Sequence, residues 1–198
     1  MHSVIKMVSK QVKTQKSKEW KKYSVDIALE GTTATYSNGT LTVTGPKGSI
    51  QKILRYPNVR VEVKDGKVHI STPKFSRNEK KIIHTYQAHV VNMVKGSKEG
   101  FEYKLQVVFA KFPITVEKVG NTIVVKNLLG EKVPRRLNLL SDVNVEVKGK
   151  EIVVTGIDKE KVGQVAGSIE QLTRITHLDR RVIQDGIYIT EKPHKRYI

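Results

Sequence analysis

The chain has 198 residues, enough for one large or two small domains, and its 38% of apolar residues can fill a buried core. It has no cysteine, which excludes disulfides and thiolate metal sites, and no run is apolar enough for a signal peptide or membrane span, so we expect a cytosolic protein. The net charge of +17 far exceeds the magnitude of about 2 to 8 that solubility requires in a small domain.

The positive charge is concentrated at both ends of the chain. Residues 1–25 carry seven lysines against one glutamate, and the last eight residues carry three bases against one acid, so these segments hold +8 of the +17. Bases that meet phosphates release condensed counterions, which favours binding to a polyanion. We interpret 1–24 as a basic N-terminal extension and 191–198 as a basic C-terminal tail. Membrane binding is disfavoured, because few large apolar side chains accompany the lysines.

Residues 25–104 are predicted to form a first α+β repeat. A turn and a β-rich run precede the glycine loop at 45–49, and residues 59–71 alternate apolar and polar side chains through Asp65-Gly66, as in a β-hairpin. Ser76, with Glu79 three residues later, has the spacing of a capping box and predicts a helix start. Glu99-Gly100 then precedes another predicted strand.

Residues 105–190 are predicted to form a second α+β repeat with the same order of elements. Residues 120–133 resemble 38–50 in pattern, and 143–155 form a second predicted hairpin. Asp158 is the expected N-cap of a second helix, whose apolar residues recur at helical spacing. Asp185-Gly186 then begins a last strand.

The two hairpins match each other without a gap at a spacing of 84 residues. They share the pairs Val59/Val143, Val61/Val145, Glu62/Glu146, Val63/Val147 and Lys64/Lys148. This similarity indicates an internal duplication. We therefore predict two tandem similar domains, each a small mainly antiparallel β-sheet packed against one α-helix, joined near residues 104 to 110. The matching place of Glu99-Gly100 favours a turn role over a catalytic role for Asp185.

Reactive groups do not converge in the sequence. His84 and His89 lie about 140° apart around a helix and cannot share a metal on one face. The loop at 45–49 lacks phosphate-loop spacing, and Pro46 lacks the backbone N–H that such a cradle uses, so we predict a turn between strands. No enzymatic activity and no cofactor are expected.

Basic residues recur instead at the ends, in the loops after both helices, and beside the loop at 127–134. Aromatic residues are too few for single-strand stacking, so these bases favour contacts with the backbone and shape of a folded nucleic acid. The candidate RNA-binding residues are Lys95, Lys98, Arg135, Arg136, Arg174, His177, Arg180, Arg181, Lys192, Lys195, Arg196, Lys13, Lys16, Lys18, Lys21 and Lys22. Two alternatives stay open: a protein–protein adaptor, and an enzyme acting on RNA through Asp185 or His177.

Several stretches resemble a known family. They are TVTGPKG at 42–48, AHVVNMVKG at 88–96, GFEYKLQVV at 100–108, FPITV at 112–116, NLLGEKVPRR at 127–136, and QLTRITHLDRRVIQDGIYITEK at 171–192. On these motifs the chain resembles the archaeal and eukaryotic branch of large-subunit ribosomal protein six, from about residue 25 to 192. Two features depart from the family pattern: Ile183 stands where the family usually has Phe, and some twenty lysine-rich residues precede the first strand.

The resemblance implies a structural RNA-binding protein of the large ribosomal subunit. Its expected partners are large-subunit rRNA near the stalk base and the sarcin-ricin loop, neighbouring ribosomal proteins there, and translation factors that dock nearby. The family's C-terminal domain is associated with much of the RNA contact. By resemblance, Arg174, Arg180, Arg181 and Lys192 lie in the motif of that domain, and Arg135 and Arg136 lie in the LGEK motif.

Overall fold

The computed structural model of the protein describes residues 23–73, 76–176, 178–179, 181–193 and 195–196. The first unit contains β1 Tyr23–Ala28, β2 Thr33–Ser37, β3 Thr40–Gly45, β4 Gly48–Ile53, β5 Arg60–Lys64, β6 Lys67–Thr72 and α1 Arg77–Lys98. The second unit contains β7 Phe101–Val108, β8 Thr115–Val119, β9 Thr122–Lys126, a 3-10 turn at Leu128–Gly130, β10 Arg135–Asn138, β11 Val143–Lys148, β12 Glu151–Gly156, α2 Lys159–Leu172, β13 Gly186–Lys192 and β14 Lys195–Arg196.

Each unit has two antiparallel sheets and one helix. The first unit pairs its strands in the orders β1-β6-β5 and β2-β3-β4, and the second in the orders β11-β12-β7-β13-β14 and β10-β9-β8. Each helix packs on the sheets of its own unit, and each unit has its own apolar core. The predicted fold class, two similar α+β domains in tandem, is confirmed.

The predicted hairpins form where the apolar alternation placed them. β5 pairs with β6 through Asp65-Gly66, and both turn residues have positive φ, 51° and 68°. This is the backbone that a two-residue hairpin loop requires, and Asp-Gly adopts it readily. β11 pairs with β12 through Gly149-Lys150, and the loop at 45–49 is the turn between β3 and β4.

Both predicted helix caps are present. The Ser76 hydroxyl accepts a hydrogen bond from the Asn78 backbone N–H at 3.3 Å and donates to the Glu79 carboxylate. The Asp158 carboxylate accepts from the Glu160 N–H at 2.9 Å. Each cap satisfies a backbone donor that the first helical turn leaves unpaired.

The structure differs from the sequence prediction at the junction between the units. Residues 101–104 were expected in the first repeat and a connection near 104–110, but all of β7 pairs with β12 and β13 in the second unit. Leu105 and Val107 of β7 are buried in the second core, which explains why the strand joins that sheet. The first unit therefore ends at Gly100, which has a φ of 77° and donates its N–H to the Gly96 carbonyl after α1.

The two units touch each other over a surface that lacks room for added side-chain atoms. Ile157 packs against the core of the first unit. A Cβ added to Gly48 would lie 2.6 Å from Ile157 Cδ1, and one added to Gly96 would lie 2.1 Å from the Ile157 carbonyl oxygen. Lys52 of β4 also pairs with Glu160 of α2. Neither helix of the described part is long and apolar enough to cross a membrane.

Candidate nucleic-acid interface

Three loops of the second unit meet at one end of it. Asn127 Nδ2 donates to the Pro113 carbonyl at 3.1 Å, and the Ile187 N–H donates to Thr173 Oγ1 at 2.9 Å. The Ala110 N–H donates to Asp185 Oδ1 at 2.9 Å. We call the described residues of the segments 110–113, 127–136 and 173–186 the loop end. These residues include six Lys or Arg residues and three Asp or Glu residues.

Arg135 forms hydrogen bonds that connect two segments of the loop end. Its guanidinium donates to both carboxylate oxygens of Glu131, at 2.9 and 2.5 Å, and to the Leu172 and Arg174 carbonyls, at 2.8 and 3.3 Å. The hydrogen bond from Arg135 lowers the pKa of Glu131, and the bond to Glu131 raises the pKa of Arg135, while burial opposes each shift. These contacts join the start of β10 to the end of α2, so Arg135 is a positioning residue whose donors are largely occupied.

The neighbouring predicted residues Arg136, Arg174 and Arg181 have a different environment. All three are exposed, and none forms an ion pair with a carboxylate in the part of the chain that the structure describes. Because no acid neutralises them locally, their guanidinium groups are available to form bidentate contacts with phosphates.

The loop end has two further exposed lysines that the sequence analysis did not select. Lys111 follows β7, and Lys132 follows the 3-10 turn. Neither stands next to another base in the sequence, so clustering along the chain gave no signal. The hydrogen bonds that join the loops place both lysines on the same end as Arg136, Arg174 and Arg181.

A short turn presents Arg181. The Asp179 carbonyl accepts from the Val182 N–H at 3.1 Å and from the Ile183 N–H at 3.0 Å. The Asp179 carboxylate accepts from the Arg181 N–H at 2.9 Å, so it caps the turn from within. The Asp179 carboxylate is thus bonded to the Arg181 backbone and forms no ion pair with the Arg181 guanidinium. The Arg181 side chain is exposed.

Asp185 begins the last strand as predicted, but its carboxylate has a further role that the sequence did not reveal. Only 4% of the residue is exposed, and its Oδ1 accepts from the Ala110 N–H. This hydrogen bond joins Asp185, the residue before β13, to Ala110 in the segment that follows β7. Gly186 has a φ of 153°, in the region that favours glycine.

Exposed apolar side chains accompany the bases of the loop end. Val133 is 76% exposed and Val182 is 80% exposed, and Phe112 and Leu178 are nearly half exposed. Apolar side chains in this setting allow close van der Waals contact with sugar and base surfaces once the charges have positioned a nucleic acid.

The predicted bases of the first unit lie elsewhere and are paired. Lys98 at the end of α1 contacts Glu30 at 2.9 Å, and Lys95 lies 4.0 Å from Glu99. Both bases line the groove between β1 and α1 rather than the loop end. Neutralised pairs of this kind bind phosphates less readily than bases without a carboxylate partner.

The other predicted residues fall at the chain ends or outside the described part. Lys192 is exposed at the end of β13, and the backbone of Lys195 and Arg196 forms β14 against Glu191 and Lys192. The residues that lie outside the described ranges are Lys13, Lys16, Lys18, Lys21, Lys22, His177 and Arg180.

The described residues offer no group of three or more His, Cys, Asp or Glu side chains that could hold a metal.

A cleft between the units, lined by Lys52, His89, Asp158 and Glu160 among others, has a volume of about 20 Å³. That is room for roughly one water molecule. Burial and the neighbouring Lys52 lower the pKa of His89, and the hydrogen bond from Lys52 lowers that of Glu160. The cleft is a contact between the units and is too small for a substrate.

Comparison with known proteins gives one consistent family. A family model described as ribosomal protein L6 matches residues 29–100 and 112–186. Proteins named large ribosomal subunit protein uL6 are similar to the chain over most of its length. The protein from Methanosarcina mazei is 42% identical over 82% of this chain and 93% of the relative, and that from Archaeoglobus fulgidus is 44% identical over 85% of each. The relative from Natronomonas pharaonis is 45% identical over 82% of this chain and 92% of its own length.

Proposed function

Because the chain belongs to the ribosomal protein L6 family, we propose that it is a structural constituent of the large ribosomal subunit that binds rRNA through the loop end of its second unit. The protein is not an enzyme, and it acts in the ribosome of the cytoplasm with rRNA and other ribosomal proteins as partners. Its mechanism is scaffolding: bases neutralise phosphates, and a rigid fold holds RNA helices at fixed positions.

The observation that carries the proposed interface is that several exposed bases without a carboxylate partner, among the described residues, lie on segments that hydrogen bonds join at one end of the second unit. Lys111, Lys132, Arg136, Arg174 and Arg181 come from three separate loops, which are fastened to each other by hydrogen bonds. Arg135 contributes by holding two of these loops in place rather than by contacting phosphate itself.

The finer location is also part of the proposal. The motifs at 127–136 and 171–192 resemble those of a family seated near the stalk base and the sarcin-ricin loop, and we place the loop end on the rRNA there. Neighbouring ribosomal proteins and translation factors then lie close to the bound protein. The basic residues at both chain ends add phosphate contacts around this attachment.

The test is a charge reversal with a matched control. Changing Arg136, Arg174 and Arg181 to Glu removes three exposed bases from the loop end, whereas changing Arg77, Lys80 and Lys81 to Glu makes the same charge change at the exposed start of α1. We expect the first variant to lose most of its affinity for large-subunit rRNA and the second to lose much less.

Salt dependence separates phosphate contacts from other effects. About six phosphate contacts give the parent protein a log-log salt slope of roughly −4 to −5, and the loop-end variant a slope that is shallower by about 2 to 3. Equal slopes for the two triple variants, or failure of the parent protein to co-sediment with large subunits, would contradict the proposed interface.

A further inference from the structure

The loop end carries an aromatic ring that phosphate contacts do not explain. Phe112 is the only Phe, Tyr or Trp in its segments, and 45% of the residue is exposed. It is not an isolated case, because four of the eight exposed large apolar residues in the described chain lie on the loop end: Phe112, Val133, Leu178 and Val182. Apolar exposure that is concentrated in one place marks a binding surface. The loop end therefore offers a ligand an apolar contact as well as charge.

The loop at 127–131 supports the Phe112 ring from one side. A Cβ added to Gly130 would lie 3.7 Å from Phe112 Cε1 and 3.8 Å from Cζ, so the ring packs against the backbone of this glycine. Asn127 Nδ2 donates to the Pro113 carbonyl at 3.1 Å, which joins the loop to the residue after the phenylalanine. With backbone on one side and nearly half of its surface exposed, Phe112 presents a fixed apolar surface to solvent.

The backbone of the supporting loop has an unusual conformation. Asn127, Leu129 and Gly130 have φ values of 61°, 51° and 80°. A positive φ is rare for a residue as bulky as leucine, and strained backbone of this kind is concentrated at ligand-binding sites. Leu129 packs against the second core, which holds the loop in this conformation. The strain thus belongs to the loop that brings Gly130 against the ring.

The charges around the ring select the class of ligand. Lys111 precedes Phe112 and Lys132 follows Gly130 by two residues; both are exposed, and neither forms an ion pair with a carboxylate among the described residues. A protein partner would cover both lysines, a residue type in which interfaces are depleted. A nucleic acid offers phosphates to the lysines and flat apolar bases to the ring. Within an A-form duplex, however, the faces of the bases are stacked on each other, so the ring requires a base outside the stack.

We infer that Phe112 stacks on one unpaired base of the bound rRNA while Lys111 and Lys132 hold neighbouring phosphates. The inference rests on the rRNA contact proposed for the loop end, and it names what the RNA must contain there: a bulged, looped or terminal nucleotide. A single ring cannot follow a strand, but it can accept one base. Because stacking on an aromatic side chain tolerates every base, Phe112 recognises the shape of the RNA and not its sequence.

Substitutions of Phe112 test the stacked base through affinity for large-subunit rRNA. Phe112→Ala should weaken binding about fivefold or more, which is the usual loss when a stacked aromatic side chain is truncated. Phe112→Leu should lose most of the same affinity, because leucine fills the space beside Gly130 without a flat ring. Phe112→Tyr, which keeps the ring, should stay within about twofold of the parent. The log-log salt slope should not change in any of the three, because no charge is altered. Val119→Ala, at an apolar residue that is 61% exposed outside the loop end, is the control.

Tryptophan fluorescence reports the stacking directly. Phe112→Trp is made in the full chain with Trp20, the only tryptophan of the sequence, changed to Phe. When large-subunit rRNA binds, the emission should fall, since an indole stacked on a base is quenched. Val119→Trp in the same background should keep its emission. Unchanged emission from Phe112→Trp in the bound complex overturns the inference.

The results distinguish this inference from the proposed function. If Phe112→Ala binds rRNA as tightly as the parent while the triple change of Arg136, Arg174 and Arg181 weakens binding, the loop end holds phosphates without stacking, and the inference alone fails. If Phe112→Ala lowers incorporation into large subunits but not affinity for free rRNA, a protein covers the ring and the inference again fails. A parent protein that binds no large-subunit rRNA overturns the proposed function and this inference with it.

Discussion

Some charged residues of the loop end hold its segments together through hydrogen bonds, and others expose their charge to solvent. Arg135 and Asp185 are both charged, yet the first is bonded to Glu131 and two carbonyls and the second to the Ala110 N–H. Arg136 is adjacent to Arg135 in the sequence but points to the opposite side of β10, since side chains alternate along a strand. A basic pair in the sequence thus combines one positioning residue with one exposed base.

The bond from Ala110 to Asp185 gives a testable prediction. Asp185→Ala removes the acceptor from a nearly buried site and should lower the free energy of unfolding by roughly 1–3 kcal/mol. Asp185→Asn keeps an oxygen that accepts the same bond, so it should cost less and leave rRNA affinity largely intact. Urea unfolding of both variants, with Glu151→Gln at an exposed site away from the loop end as the control, checks this. Equal stability of Asp185→Ala and the parent would show that the bond contributes nothing.

The sequence predicted the local features of the elements well and their partners less well. Ser76 and Asp158 were identified as caps because a helix start depends on residues within one turn. The sequence did not predict which sheet β7 joins, because its partner β12 lies some fifty positions away in the chain. The local pattern at 101–108 contains no information about so distant a partner. The role of Asp185 was missed for the same reason, since its partner lies 75 residues away.

Two helical glycines provide a prediction about how the elements pack. A Cβ added to Gly96 in α1 would lie 2.1 Å from the Ile157 carbonyl oxygen, whereas one added to Gly167 in α2 has no other atom within 4 Å. Glycine inside a helix costs about 0.5–1 kcal/mol relative to alanine. Gly167→Ala should therefore stabilise the protein by about that amount.

Gly96→Ala should have the opposite effect, although the helical preference is the same. The added methyl group forces the two units apart or shifts backbone, which typically costs about 1–3 kcal/mol. Thermal and urea unfolding of the two variants side by side measures the difference. A stabilising effect of both substitutions would mean that α1 and residue 157 are not in the close contact described.

At the scale of the whole molecule, the units are held together by a contact between polar groups as well as by Ile157. His89 Nδ1 lies 3.0 Å from Lys52 Nζ and 3.2 Å from Glu160 Oε1, with Asp158 and Lys159 lining the same cleft. These groups come from β4, α1 and α2, so their contact fixes the first unit against the second. No sequence pattern indicated it, because Lys52 and Glu160 are 108 residues apart.

This contact predicts how stability depends on pH. The pKa of His89 is lowered from 6.5, first by burial and then by Lys52, while Glu160 and Asp158 partly offset the shift. The unfolded chain therefore binds a proton more readily than the folded one, and stability falls as pH drops through about 6.5. The pKa of Glu160 is also lowered, by its bond to Lys52, so its contribution is present above the unfolded pKa of about 4.5 and is lost at lower pH.

Substitutions separate the two pH windows. Urea unfolding midpoints should decrease from pH 7.5 to pH 5 in the parent protein, and His89→Gln should flatten this decrease, because glutamine cannot be protonated beside Lys52. Glu160→Gln should flatten the further decrease below about pH 5, and it should steepen the decrease between pH 7.5 and pH 5, because it removes the charge that partly offsets the lowered pKa of His89. His84→Gln, an exposed substitution on the same helix, is the control and should follow the parent. If His89→Gln kept the full decrease between pH 7.5 and pH 5, the contact between the units would not be coupled to the protonation of His89.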